Sequence, residues 1–400
     1  MQLGFQYRLN PNKTQEKALR QLLRVACRLY NDALTERKDV WEQEGRSVTY
    51  LEQALKLKTL RQKNKELALL NFSAAQHVLR RLDKAFRRFF QGIKNGQKVG
   101  YPRFKKPHRF RTLEFTYGDG VKIVHDEYGR LRLRVQQVGS IRIVWHRELP
   151  RGAHIKQVWL TLKADGWFAT FALEVPDEVV RNPLPPTGKA VGIDVGVENL
   201  LALSDGTLLD NPRWMRKTEE KIATKQRILG KKVKGSKRWR RMRGQIAKLH
   251  LKIGRQRRDF YFKLTAWLVK KFDLICVEDL HVKGLARSTL RKSVHDAGWA
   301  LFLKQILPDK AWRAGREVIS VPASGTSQTC AACRCSVPKD LSVRWHDCLR
   351  CGFSVHRDIN AAMLILKLGL EQARRDDWLV QPSCLQEAEG KSRRSFTEML

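Results

Sequence analysis

Two short cysteine pairs constrain this chain more than any other feature. Cys330-Ala-Ala-Cys333 and Cys348-Leu-Arg-Cys351 stand fourteen residues apart. Four thiolates at this spacing can close a tetrahedral shell around zinc, each pair delivered by one tight turn. The fold must therefore bring two knuckles face to face. With four protein ligands the shell has no open position, so the expected role of the metal is structural. Cys335, two residues past Cys333, leaves open which of the two completes the set. His346 and His356 flank the knuckles and are left outside it. Cys27, Cys276 and Cys384 are isolated and read as core or tail residues. Clustered cysteines suggest metal before disulfides in a reducing compartment. The opening MQLGFQYRLNPNKTQ has no apolar core of a signal peptide, and no run reaches membrane-spanning length. The expectation is a cytoplasmic, nucleoid-associated protein with no membrane partner.

Seven residues past Cys351, Asp358 opens a helical pattern in His-Arg-Asp-Ile-Asn-Ala-Ala. Two more acids interrupt apolar strands: Asp194 in VGIDVG and Glu278 in LICVED. A charge inside a buried strand is costly unless it is paired or binds metal. One such acid can be a satisfied core residue. Three, in the order strand, strand, helix, point to a shared centre. Carboxylates suit Mg²⁺ or Mn²⁺, and two such ions can activate water and stabilise the leaving oxygen in phosphodiester cleavage. Asp194, Glu278 and Asp358 are the candidate catalytic and metal-binding residues.

The charge says what such a centre would act on. Lys and Arg number 78 against 40 Asp and Glu, a formal net charge of +38. That excess repels itself unless a polyanion shares the surface, which makes nucleic acid the leading partner over an anionic membrane. From Lys221 to Arg258 there are sixteen Lys or Arg and no acid. Ile222, Ile228, Leu229, Trp239, Met242, Ile246, Leu249 and Ile253 recur among them, so the run predicts a helical hairpin with a cationic face. Arg238 and Arg241 are its candidate contacts. The loop NGQKVGYPRFKKPHRFR (95–111) interleaves Tyr101, Phe104 and Phe110 with Arg103, Lys105 and Lys106. Rings among cations suit base stacking with phosphate contact.

A chain of 400 residues accommodates two to four domains. Residues 12–38, 49–70 and 73–93 carry helical periodicity, the first opened by a capping box at Asn12 and Gln15. From 113 to 175 the period becomes two, with turns at YGR, QVGS and ADG, predicting an antiparallel sheet or small barrel. RNPLPPTGK (181–189) is a linker and candidate boundary. Beyond it lie buried strands at 190–196 and 273–280, an antiparallel neighbour at 200–206, a helix at 299–315, a strand at 316–322 and a helix at 358–370.

GIDVG, VEDL, TSQTCAAC, CLRCG and HRDINAA, with YRLNPNKTQEKALRQLLRVACRLYNDAL, GYPRFKK and SVHDAGWALF, resemble the TnpB nucleases of insertion sequences, RNA-guided relatives of type V CRISPR effectors. The resemblance covers almost the whole chain. It implies a multidomain α/β fold: a wedge β-barrel (1–11 and 94–182), a helical recognition domain (12–93), and a RuvC-type, RNase H-like nuclease domain (183–322 and 353–372). A zinc-ribbon-like insert (323–352) and a flexible tail (373–400) complete it. The knuckles would then sit between the last strand and last helix of the nuclease domain, holding a DNA-handling insert beside Asp358. Tyr50 and Gln76 fall where the family reads its target-adjacent motif. This chain departs from the family in Cys333-Arg334-Cys335, where Cys-Gly is usual, and in His356-Arg357-Asp358, where Asp-Arg-Asp is usual.

The resemblance implies a Mg²⁺-dependent DNA endonuclease with a structural zinc. Its partners would be a transposon-derived guide RNA and double-stranded target DNA cut beside a short motif, with one protein per guide. The rivals are a guide-dependent repressor that no longer cuts, a guide-free junction-resolving nuclease, and a compact CRISPR effector. All three acids are present, against the repressor, and a junction resolvase would not need so large a basic N-terminal half.

Overall fold

The structure, a computed structural model, describes residues 1–281, 284, 291–322, 325–340 and 343–375. The expected tail from residue 376 onward, Cys384 included, lies outside these residues. The chain divides into two compact units, Met1–Val180 and Arg181–Leu400, beside the proline-rich stretch.

In the first unit, β1 (Gln2–Asn10) is followed by four helices: α1 (Lys13–Glu44), α2 (Tyr50–Lys63), α3 (Lys65–Ala68) and α4 (Phe72–Lys94). Asn12 and Gln15 form the expected reciprocal cap. Helix α1 runs past residue 38 and ends where Gly45 takes a left-handed φ of 64°. After the helices come β2 (Thr112–Thr116), β3 (Val121–His125), β4 (Leu131–Val135), β5 (Gly139–Val144), β6 (His154–Lys163) and β7 (Gly166–Glu174). All seven strands join one antiparallel sheet, ordered β2-β6-β7-β1-β5-β4-β3. The N-terminal strand is thus central, and its neighbours are made long after it. The edge strands β2 and β3 are consecutive in sequence, and an isolated bridge in the turn that links them pairs Tyr117 with Val121. A short helix, α5 (Asp177–Val180), closes the unit.

The second unit is built on a mixed five-stranded sheet. Strands β8 (Ala190–Asp194), β9 (Asn199–Leu203) and β10 (Leu208–Asp210) form an antiparallel meander. Then come α6 (Trp214–Gly230) and α7 (Lys237–Lys271), the helical hairpin expected from the basic run. Strand β11 (Leu274–Glu278) returns parallel to β8, and β12 (Glu317–Val321) parallel to β11. The order is β10-β9-β8-β11-β12. Between β11 and β12 lie α8 (Arg291–Ala297), α9 (Trp299–Leu301), a π-turn (Phe302–Ile306) and α10 (Leu307–Arg313). The expected single helix at 299–315 therefore contains an i→i+5 turn, with Pro308 at the start of its final segment.

A small hairpin, β13 (Trp345–Asp347) with β14 (Ser354–His356), leads into α11 (Arg357–Arg375). Helix α11 lies directly on the sheet, and two glycines allow it. A Cβ on Gly192 would sit 2.0 Å from the Ala362 carbonyl oxygen, and one on Gly369 would sit 2.2 Å from Cys276 Sγ. The middle of VGIDVG is thus a seat for a helix.

Candidate metal centres and nucleic-acid surfaces

Asp194 ends β8 and Glu278 ends β11. These strands are parallel neighbours, with Ile193 opposite Val277, so the two acids leave the sheet side by side at its carboxyl end. Asp358 sits in the first turn of α11, the helix seated on β8. Burial holds the Asp194 carboxyl well above the usual carboxylate range, and Glu278 and Asp358 push it the same way. Arg357 and the Val195 backbone N–H pull against them. Glu278 is 8% exposed, and burial raises it too, against a hydrogen bond from Thr326. Like charges so placed repel unless protons or cations intervene. The donor set, all hard oxygens, fits Mg²⁺ or Mn²⁺.

Two neighbours orient the acids. Asn199, buried at the start of β9, donates from Nδ2 to Asp358 Oδ2 at 3.0 Å. Thr326, 2% exposed, donates to Glu278 Oε1 at 2.5 Å. Gly196 keeps the turn between Asp194 and Asn199 tight, since a Cβ there would meet the Asn199 carbonyl oxygen at 2.6 Å. The sequence reading passed over both. Asn199 had one signal, a polar residue opening the fully apolar run LLAL, and Thr326 had its place in TSQTC.

In the knuckles, the sulfurs of Cys330, Cys333, Cys348 and Cys351 all lie within 4.8 Å of one another. Among the described residues this is the set close enough to share one ion; the three carboxylates do not close to that distance. Cys330 and Cys351 stand 3.8 Å apart, and Cys333 and Cys348 3.6 Å. The Cys351 N–H, pointing at the Cys348 sulfur, brings that thiol down to about 6, and the Cys335 N–H lowers Cys333 likewise. Both favour the thiolate that zinc takes. The Cys335 sulfur stands 3.1 Å from that of Cys333 and 3.3 Å from that of Cys348. His346 is buried and bonded through Nδ1 to Lys339, and His356 Nδ1 accepts from the Asp358 N–H. The knuckles are tied to α11 by Asn360, fully buried, which accepts from the Ala331 N–H and donates to the Thr329 carbonyl.

The basic residues make two surfaces, one in each unit. In the first unit, Arg103, Lys105 and Lys106 line a cleft of about 860 Å³ with Arg80, Arg81 and Lys84 of α4. The aromatic residues of this loop divide. Phe110 is buried, with the Arg81 guanidinium over its ring, and Tyr101 stands edge-on to Phe86 and Phe89. Phe104 is 52% exposed, with the Lys38 ammonium 5.6 Å from its ring centre. Tyr50 is half-buried beneath Arg80, 5.5 Å from ring centre to guanidinium, and Gln76 is half-buried on α4. In the second unit, Arg238 and Arg241 are exposed on α7.

Comparison with known proteins places the chain. Residues 170–289 match a family described as "Probable transposase" (OrfB_IS605), residues 302–365 the "Cas12f1-like, TNB domain", and residues 1–46 a "Helix-turn-helix domain". The last segment is here one strand and one long helix. A Streptomyces pristinaespiralis protein named "Putative RNA-guided DNA endonuclease" is 33% identical over 377 residues, covering 92% of this chain and 89% of the relative. InsQ of Escherichia coli K12, which bears the same description, is 29% identical over 387 residues, covering 92% of each. The solved mini-RNA-guided endonuclease CRISPR-Cas_phi3 shares the fold at a TM-score of 0.53 and 10% identity, covering 96% of this chain and 93% of that one. Together these define an insertion-sequence protein of mixed α/β architecture with a cysteine-rich TNB segment. The chain belongs to the IS605 OrfB family, also called TnpB.

Proposed function

We infer that this protein is an RNA-guided, Mg²⁺-dependent DNA endonuclease that cuts duplex DNA beside a short motif, using a guide RNA derived from its element. The observation that carries the reading is the convergence of three acids: Asp194 and Glu278 end adjacent parallel strands, Asp358 opens the helix seated over them, and both neighbours raise the Asp194 carboxyl. Bound cations would supply electrostatic stabilisation of the scissile phosphate and activation of water. The chain's own part is to hold three oxygen donors in register, with Asn199 and Thr326 fixing two of them.

Within the second unit, residues 183–322 and 353–372 would be the RuvC-type nuclease domain, with residues 323–352 as its zinc insert. The sheet of the first unit would be the wedge, and helices 12–93 the recognition domain. Arg103, Lys105, Lys106, Arg238 and Arg241 would meet nucleic-acid backbone, and Tyr50 and Gln76 the adjacent motif. Sequence reading would be left to base pairing, while the protein grips shape and phosphate. Names of the relatives support the RNA and DNA partners.

The test uses the protein with its co-purifying RNA, matched duplex DNA and Mg²⁺. Wild type should cut, and Asp194→Ala, Glu278→Ala and Asp358→Ala should bind RNA and target without cutting. Equal cutting by wild type and Asp194→Ala would sink the site. RNA-dependent binding with no wild-type cutting would favour a repressor.

A further inference from the structure

Cys335 is the sulfur that the four-cysteine set leaves over, and it is held against that set. It stands 3.1 Å from Cys333 Sγ and 3.3 Å from Cys348 Sγ. The backbone delivers it there. The Arg334 N–H donates to the Cys330 carbonyl, the Cys330 N–H donates to the Cys335 carbonyl, each at 2.9 Å, and Arg334 takes a left-handed φ of 61°. The chain thus doubles back after Cys333 and returns a fifth thiol to the cluster. Cys330 and Cys348 are buried, whereas Cys333 and Cys335 are half-buried and Cys351 is exposed, so a small polar oxidant enters from the side of Cys333 and Cys335.

We propose that Cys335 is a resolving thiol that makes the zinc knuckles a peroxide-sensitive site, capturing the oxidised sulfur of its neighbour Cys333 or Cys348 as a disulfide. Hydrogen peroxide takes the nucleophilic sulfur's electron pair: the O–O bond breaks, an S–O bond forms, and hydroxide leaves. The Cys335 thiol then attacks that sulfur, the S–S bond forms, the S–O bond breaks, and water leaves. In sum, two thiols give up two electrons and two protons, and one peroxide becomes two waters. Zinc keeps three ligands and is released more readily.

Release would reach the acidic centre. The segment 325–333 carries Thr326, bonded to Glu278, and is clamped to α11 by Asn360. Opening the knuckle frees the segment that orients Glu278 and braces the first turns of the helix bearing Asp358. Oxidised protein should therefore lose cutting while keeping guide RNA. That arm rests on the proposed function; zinc release and disulfide mapping do not.

The experiment treats full-length, zinc-loaded protein with hydrogen peroxide. It reads zinc with a chromogenic chelator, disulfides by non-reducing mass spectrometry, and RNA binding and cutting in parallel. Wild type should release zinc, gain a disulfide containing Cys335, keep RNA binding and recover with dithiothreitol plus zinc. Cys335→Ser and Cys335→Ala should purify with zinc and release it at least about tenfold more slowly. Release from both variants at the wild-type rate, a disulfide that omits Cys335, or variants that purify without zinc would overturn the proposal. A wild type that releases zinc as expected but never cuts sinks only the nuclease reading. One that cuts and resists peroxide sinks only this one.

Discussion

The hydroxyl of Thr326 donates to Glu278 Oε1 at 2.5 Å, joining the loop that enters the cysteine knuckles to the carboxyl end of strand β11. Both residues are more than nine-tenths buried, so little water competes for the bond. A hydrogen bond to a charged group contributes about 1.5–3 kcal/mol. Thr326→Val keeps the shape and removes the donor. Cutting should fall roughly ten- to a hundredfold with guide RNA affinity unchanged. Thr326→Ser should restore most of it, and wild-type rates from Thr326→Val would show that Glu278 is held by other means.

Neutralising Asp194 should help the fold and end the chemistry. Its carboxyl is raised by burial and by two like-charged neighbours, so the ion-free protein carries repulsion that an amide would not. In Mg²⁺-free buffer, Asp194→Asn should unfold at a higher temperature than wild type. Adding Mg²⁺ should raise the wild-type midpoint and leave the variant's nearly unmoved, while nuclease assays read no cutting from the variant. A lower midpoint for the variant without Mg²⁺ would contradict the repulsive cluster.

Gly192→Ala places a methyl group 2.0 Å from the Ala362 carbonyl and 2.6 Å from the Leu366 nitrogen, where only backbone can give way. Overpacking of this kind costs about 1–3 kcal/mol, and α11 must lift away from β8. Calorimetry should show a lower midpoint, and cutting should fall further than stability alone explains, because Asp358 rides on that helix.

His77 gives the first unit a pH dependence. It is 4% exposed, and burial lowers its pKa below the usual 6.5, helped by Arg80 and Lys84 and opposed by Glu114 and Asp119. The unfolded chain therefore binds more protons than the folded one as pH drops below 6.5, and stability falls through that window. Melting curves taken from neutral pH down to about 5 should show wild type losing stability faster than His77→Gln. Parallel slopes would remove His77 from the account.

Much of this architecture is legible in the sequence because it rests on period. The alternation across 113–175 and the apolar runs around Asp194 and Glu278 report which faces are buried, and burial is what strands and helices share. Other features depend on what arrives from elsewhere. Phe110 looks like a stacking ring among cations, yet it is core because Tyr30 and Arg81 of distant helices close over it. Asn199 and Thr326 are ordinary polar residues until β9 and the knuckle loop are folded against the acids. Gly192 reads as a break in an apolar strand, and its reason appears only with α11 laid across it.

The seating of α11 on β8 also orders events in time. A chain emerges from the ribosome N-terminus first, and domains tend to fold as they appear. Strand β8 is finished long before Asp358 is made, and its helix seat must stay open until Ala362 and Leu366 arrive. The acidic centre is therefore completed by one of the last described segments to be translated, after the cationic surfaces of both units already exist. On the function proposed above, newborn chains would be able to take hold of nucleic acid before they could damage it.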